Sequence, residues 1–357
     1  MRTIPLTIVA AALLGSTGAY AQVNSTVLTS ARVHAHAGRP PSTFHVVNTF
    51  RLPGADGWDY LNVDGAAHRL YISRGTHVMV MDTRTGALAG DIPNTPGVHG
   101  IALDGKLHKG FISDGGDNTV TVFDTRSLKV LDRIKVGTRP DCIIFDPGSN
   151  RVFTFNGGSN DSTAVDPAAD KVVGTVPLDG RPEYAASNGR GGIFCNIEDK
   201  SEICAIDSIA LRVKSVWPIA PGDGPSGLAI DAAHNRLFSV CENHKMIVLD
   251  ADTGKVLAVP EIGGRPDACG FDPGLGLAFS SNGDGTLTVV REQNPDTFSV
   301  ADTVKTEPGA RTLAVDSRAH TIYLCTAKPD PTPPPAGAPR FRRRYLDGTF
   351  VVLVVSR

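Results

Sequence analysis

From residue 44 onward, short apolar runs alternate with glycine, aspartate and asparagine, and none holds a helical 3.6-residue period. RLYIS at 69–73, RVFTF at 151–155 and RLFSV at 236–240 read as strands, each centred on an aromatic residue. Each aromatic follows a polar marker by seven residues, and the markers run Asp64, Asp104, Asp146, Asn188, Asp231, Asp272 and Asp316. Their spacings are 40, 42, 42, 43, 41 and 44 residues. The strand centres are Tyr71, Phe111, Phe153, Cys195, Phe238, Phe279 and Tyr323. A second aspartate, at 82, 124, 166, 207 and 250, ends a further apolar run and opens turns such as DTRTG and DADTG.

Each unit therefore predicts four short strands, a to d, in about 42 residues, which is the period of a β-propeller blade. Tandem β-sandwiches would need more than twice that length per domain. Helical repeats are excluded by short, β-branched, glycine-broken runs. The last unit carries only three strand-like runs, the third being GTFVVLVVSR, while FHVVNTFRL at 44–52 stands unassigned before the first. Pairing the two predicts an all-β fold over 44–357: a seven-bladed β-propeller of four-stranded blades, closed by an N-terminal strand that completes the last blade.

The repeated aspartate, RLYIS-like strand, V.V.D..TG strand and turn, and G..P entry resemble the YVTN-type (YncE-like) seven-bladed propellers across nearly the whole chain. The resemblance implies the same fold. It implies little about activity, since that family is mostly without an assigned one.

Composition adds location and excludes classes. Arg2, an apolar run and Ala19-Tyr20-Ala21 have the layout of a secretory signal peptide over 1–21, which predicts a periplasmic or secreted protein. Residues 22–43 read as a disordered lead-in. No later segment is apolar enough to span a membrane. A net charge of −2 offers no general attraction to nucleic acid, and no sequence-specific nucleic-acid motif is present. The six cysteines form neither a zinc framework nor a haem-attachment motif, so haem is not expected. Cys195 and Cys204 flank NIEDKSEI symmetrically, as a hairpin would, and read either as a disulfide or as two buried thiols.

Candidate chemistry gathers where the innermost strands begin. Five residues before each marker stand Asp59, His99, Asp141, Glu183, Ser226, Asp267 and Arg311, a polar ring expected at one mouth of the central channel. Two residues further upstream come Arg139, Arg181 and Arg265, with glycine in the other four units. An Arg-Pro-carboxylate sequence can brace the rim as an ion pair. Alternatively the ring holds a ligand. Asp59, Asp141, Glu183 and Asp267 suit Ca²⁺ or Mg²⁺, and His99 would also admit a transition metal or act as acid or base.

The b–c loops, with Arg74 and His77 among them, are expected to crown this mouth. So is a Pro/Arg-rich insertion at 327–347 that ends in RFRRR and a tyrosine. Two functions follow as expectations. One is a binding or scaffold module for a small molecule or periplasmic protein. The other is a metal-dependent enzyme of lactonase or lyase type. No nucleophile elbow, phosphate loop or nucleotide fingerprint is present.

Overall fold

The computed structural model describes residues 43–332 and 345–357. The expected signal peptide, and all but the last residue of the lead-in, lie outside them. The predicted repeat forms as expected: the described residues fold into seven four-stranded antiparallel sheets. Blade 1 runs Leu61–Asp64, Arg69–Ser73, Val78–Asp82 and Leu88–Ile92. Its successors repeat the pattern, and each innermost strand touches that of the next blade, including blade 7 against blade 1.

The ring closes through a shared sheet. In blade 7 the order is His45–Arg51, Val351–Ser356, Thr321–Thr326, Leu313–Asp316, so the first strand of the fold supplies the outermost strand of the last blade. His45 pairs with Ser356 and Arg51 with Val351. Phe44 continues the joint by packing edge-on against Phe279 of blade 6, ring centroids 5.5 Å apart. Arg74, at the end of strand b in blade 1, is fully buried over the Phe350 ring at 3.7 Å. It donates to the carbonyls of Pro53, Gly54 and Asp56. It therefore pins the entry loop to the closing blade rather than standing at the mouth.

The core consists of slabs between blades, because both faces of each sheet are covered. The seven strand-b centres are all buried: Tyr71, Phe111, Phe153, Cys195, Phe238 and Phe279 at 0% exposure and Tyr323 at 5%. The marker aspartates cap the a–b turns; Asp104 Oδ1, for example, accepts from the backbone N–H of Lys106 and Leu107. Local turn chemistry and aromatic burial thus fix the same repeat.

Cys195 and Cys204 are direct cross-strand partners in blade 4, as the symmetric spacing predicted. The disulfide is not formed, and all six cysteines are buried free thiols. Directly opposed residues hold their Cβ atoms about 4.5–5.5 Å apart, wider than the ~3.8 Å typical of a disulfide. Both thiols instead pack in the slab between blades 3 and 4.

Candidate functional site at the channel mouth

A recurring backbone irregularity aims the ring residues. In blades 2 to 6 the a–b register slips between Val98 and Ile101, Pro140 and Ile143, Pro182 and Ala185, Pro225 and Leu228, and Pro266 and Ala268. His99, Asp141, Glu183, Ser226 and Asp267 occupy the slipped stretches, where a bulge turns side chains out of the regular alternation. Two residues earlier the chain is left-handed at Gly97 (φ 64°), Arg139 (53°), Gly224 (59°), Arg265 (56°) and Gly309 (86°). Glycine is at ease there, whereas a side chain costs about 1–2 kcal/mol.

Five ring residues form an arc of alternating charge. His99 Nδ1 lies 2.6 Å from Asp59 Oδ2 and 3.6 Å from Asp141 Oδ1. Arg311 pairs with Asp267 and approaches Asp59 Oδ1 at 3.9 Å. Asp141, His99, Asp59, Arg311 and Asp267 thereby link blades 3, 2, 1, 7 and 6. The arc is interrupted at blades 4 and 5. Glu183 turns to Glu198 of its own b–c turn, to which it donates a hydrogen bond. Ser226 is buried, and its Oγ donates to the carbonyl of Pro266 at 3.2 Å, so it belongs to the blade interface.

The expected bracing within each Arg-Pro-carboxylate sequence does not occur. Arg181 pairs with Glu198, and Arg265 donates to the carbonyl of Gly283. Arg139, in a left-handed turn, acts on its own Asp141 through charge alone, opposing the rise of that carboxyl. Among the described residues the Arg139 guanidinium has no hydrogen-bond or ion-pair partner.

Burial dominates the electrostatics. It pushes the Asp141 carboxyl up to about 6, with the Asp59 charge adding and His99 and the Tyr60 hydroxyl opposing. Burial alone would lower His99, but Asp141 and Asp59 outweigh it and raise the imidazole to about 9. His99 is therefore a cation at neutral pH. Burial, followed by the charges of Asp141, Glu198 and Asp59, raises Glu183 well above the usual carboxylate range. The arc is nonetheless reached by channel water, since the side chains of His99, Asp141 and Asp59 remain 36%, 27% and 25% exposed.

Tyr60 and Tyr184 sit just inside the ring, edge to face at 5.2 Å. Beneath them a cavity of about 630 Å³ runs along the inner strands, lined by residues such as Asn62, Ile101, Ile143 and Phe145. Sequence reasoning passed over Tyr60. The signal for Tyr60 was its place directly after a ring acid, shared only with Tyr184.

As a metal set, the structure joins Asp59 and Asp141 with His99, one donor atom from each lying within 4.8 Å of the others. Glu183 and Asp267, expected in that set, are instead engaged with Glu198 and Arg311. His77 faces Asp91 at 3.5 Å. The insertion's stem pairs Pro329 with Tyr345, whose ring lies 4.8 Å from Trp58 beside the mouth. Residues 333–344, with the arginine run, lie outside the described residues.

No protein-family model matches the chain, and no curated protein matches it in sequence. Solved structures do match. A chain described as Kuenenia stuttgartiensis hydrazine synthase superposes with a TM-score of 0.68 at 15% identity, over 76% of this chain and 92% of that one. The structure of U3-55K gives 0.71 at 9% identity, over 86% and 97%. The RRP9 WD40 repeats give 0.71 at 9%, over 87% and 97%. At such identities the likeness is one of fold: this chain is a seven-bladed β-propeller.

Proposed function

We propose that the protein is an exported binding module of the YVTN type, which holds a small molecule or a protein segment at the charged mouth of its channel. The observation that carries this reading is the convergence of Asp59, His99 and Asp141 from three blades onto one point. The fold itself asks only for a bulge at this position, and blade 5 provides one with a serine. Burial, and after it the neighbouring carboxylates, raises Asp141 and Glu183, a cost that a bound cationic or hydrogen-bonding group offsets. The partnerless Arg139 on the rim adds a site for an anionic group, so a ligand bearing both charges fits best. The signal-peptide pattern supports export to the periplasm or beyond, where such a ligand would be met.

The test is calorimetric titration of the mature chain with amino acids, polyamines and divalent cations. Binding by wild type that weakens at least tenfold in Asp141→Asn supports the reading. Affinity indifferent to Asp141→Asn and Asp59→Asn removes the mouth as the site.

A second reading, a metal-dependent enzyme of lactonase or lyase type, is favoured by the same three donors. Two carboxylates and an imidazole would hold a divalent cation and leave positions for substrate. When bound, the cation would polarise a substrate carbonyl. Ca²⁺ and Mg²⁺ prefer more oxygen donors than the site offers, so a transition metal fits this set better.

A further inference from the structure

On the face opposite the mouth, the a–b turn of blade 5 meets strand c of blade 6. Asp231 ends the innermost strand Pro225–Asp231, and His234 follows in the turn. Glu292 lies in the strand Thr286–Asn294 of the neighbouring blade. His234 Nδ1 pairs with Asp231 Oδ2 and stands 3.6 Å from Glu292 Oε1. One donor atom from each of the three residues lies within 4.8 Å of the others.

Glu292 is the unexplained member. Its side chain is only 5% exposed and that of Asp231 only 3%. Neither Glu292 oxygen reaches solvent or accepts a hydrogen bond from a described N–H or O–H group, and its one hydrogen-bonding neighbour is Asp231 itself, to which it donates only when it holds a proton. The Arg236 guanidinium, whose charge reaches Glu292, is already committed to Asp250 at 2.8 Å and Asp296 at 3.4 Å. Turn capping does not call for a second acid, since Asp104 caps its own turn with backbone N–H groups alone. Placing a second carboxylate against buried Asp231 is unfavourable unless a proton or a cation sits between them.

We infer that Asp231, His234 and Glu292 form a binding site for a zinc-class divalent cation that staples blade 5 to blade 6. One imidazole nitrogen with two carboxylate oxygens is a donor set for Zn²⁺, Co²⁺ or Mn²⁺ rather than for Ca²⁺, which takes six to eight oxygens. The half-exposed imidazole leaves one side open for water to complete the coordination. Asp231 keeps its turn-capping bonds through Oδ1, to the N–H groups of Ala233 and His234, so Oδ2 remains for the metal.

The experiment is equilibrium dialysis of the full chain against Co²⁺, with the visible absorption of the bound ion and the melting temperature read in parallel. Wild type is compared with His234→Ala, Glu292→Gln and the mouth variant Asp141→Asn. Circular dichroism checks that each variant is folded, and His234, half-exposed on a turn, is the variant least able to disturb the core. The expected result is one equivalent of cobalt that survives Asp141→Asn. In His234→Ala and Glu292→Gln it is lost or weakened by more than about 100-fold, the upper end for mere outer partners. Cobalt should also raise the melting temperature of wild type more than that of these two variants. The site is overturned by wild type that takes up no cobalt. It is equally overturned by uptake that both variants retain, or by uptake that falls only in Asp141→Asn.

Discussion

His99 Nδ1 and Asp59 Oδ2, brought together from blades 2 and 1, lie 2.6 Å apart at the entrance of the channel. This contact and the Asp141 carboxylate behind it hold His99 as an imidazolium up to about pH 9. Because the folded value exceeds the ordinary 6.5, the stabilisation is fully present below pH 6.5 and is lost as pH rises towards 9. Channel water screens a side chain this open, so the loss should amount to no more than about 1 kcal/mol. Melting curves from pH 6 to 10 should show the decline in wild type and a shallower one in Asp59→Asn. An imidazole that titrates by NMR at its ordinary value in wild type would refute the contact.

Asp141 behaves in the same direction for a different reason. Its carboxyl, raised by burial to about 6, binds its proton more tightly in the folded state, so stability falls as pH climbs from 3.8 through 6. Asp141→Asn removes a buried charge and should stabilise the fold at pH 7 by on the order of 1 kcal/mol, while weakening ligand binding. Differential scanning calorimetry at pH 4.5 and 7.5 would show a gain at the higher pH only. A variant less stable than wild type at both values would mean that Asp141 braces the rim.

The ring of seven blades was legible in the sequence because every blade repeats the same turn aspartate and the same buried strand centre, from Tyr71 to Tyr323. The closing strand was legible because the unit count left one strand over at 44–52. The polar ring could be named by position, but not how its members pair. Arg311 meets Asp267 and Asp59 across blade boundaries, and such contacts depend on the angle between sheets rather than on spacing. The left-handed turn at Arg139 was hidden as well, although glycine at the matching positions in four units hinted at it. Arg74, read as a loop residue, is a buried clamp because Phe350 and the 53–56 carbonyls come from opposite ends of the chain.

That clamp yields a stability prediction. A lysine at position 74 keeps the charge but cannot donate to three carbonyls while stacking flat on Phe350. Arg74→Lys should destabilise the fold by about 3 kcal/mol, the lower end for a disrupted buried charge. Arg74→Met, which fills the space without charge, should cost less. Urea denaturation followed by fluorescence measures both, and equal stability of all three proteins would remove Arg74 from the closure.

The cysteines offer a chemical check. Burial raises Cys204 and Cys241 to about 12 and lifts Cys142, Cys195, Cys269 and Cys325 well above their ordinary value too, so no thiolate forms at working pH. A thiol reagent should label none of the six under native conditions and all six in denaturant. A reductant should leave the melting temperature unchanged. Recovery of only four reactive thiols after unfolding would instead establish the Cys195–Cys204 bond.

Arg139 and Arg265 carry side chains at left-handed positions that blades 2, 5 and 7 fill with glycine. Replacing either by glycine relieves about 1–2 kcal/mol of backbone strain and gives back about 0.4–1 kcal/mol to the greater freedom of the unfolded chain. Arg265→Gly also forfeits its bond to Gly283, whereas Arg139→Gly forfeits no hydrogen bond or ion pair among the described residues, only a charge that favours ionised Asp141 and disfavours protonated His99. Arg139→Gly should therefore be as stable as wild type or slightly more so, and Arg265→Gly close to neutral. A residue kept at a strained position without a structural return is kept for what it binds. Titration with a ligand bearing an anionic group should show affinity falling about tenfold or more in Arg139→Gly, in line with the loss of a charged hydrogen bond. Unchanged affinity together with raised stability would leave Arg139 without a role at the mouth.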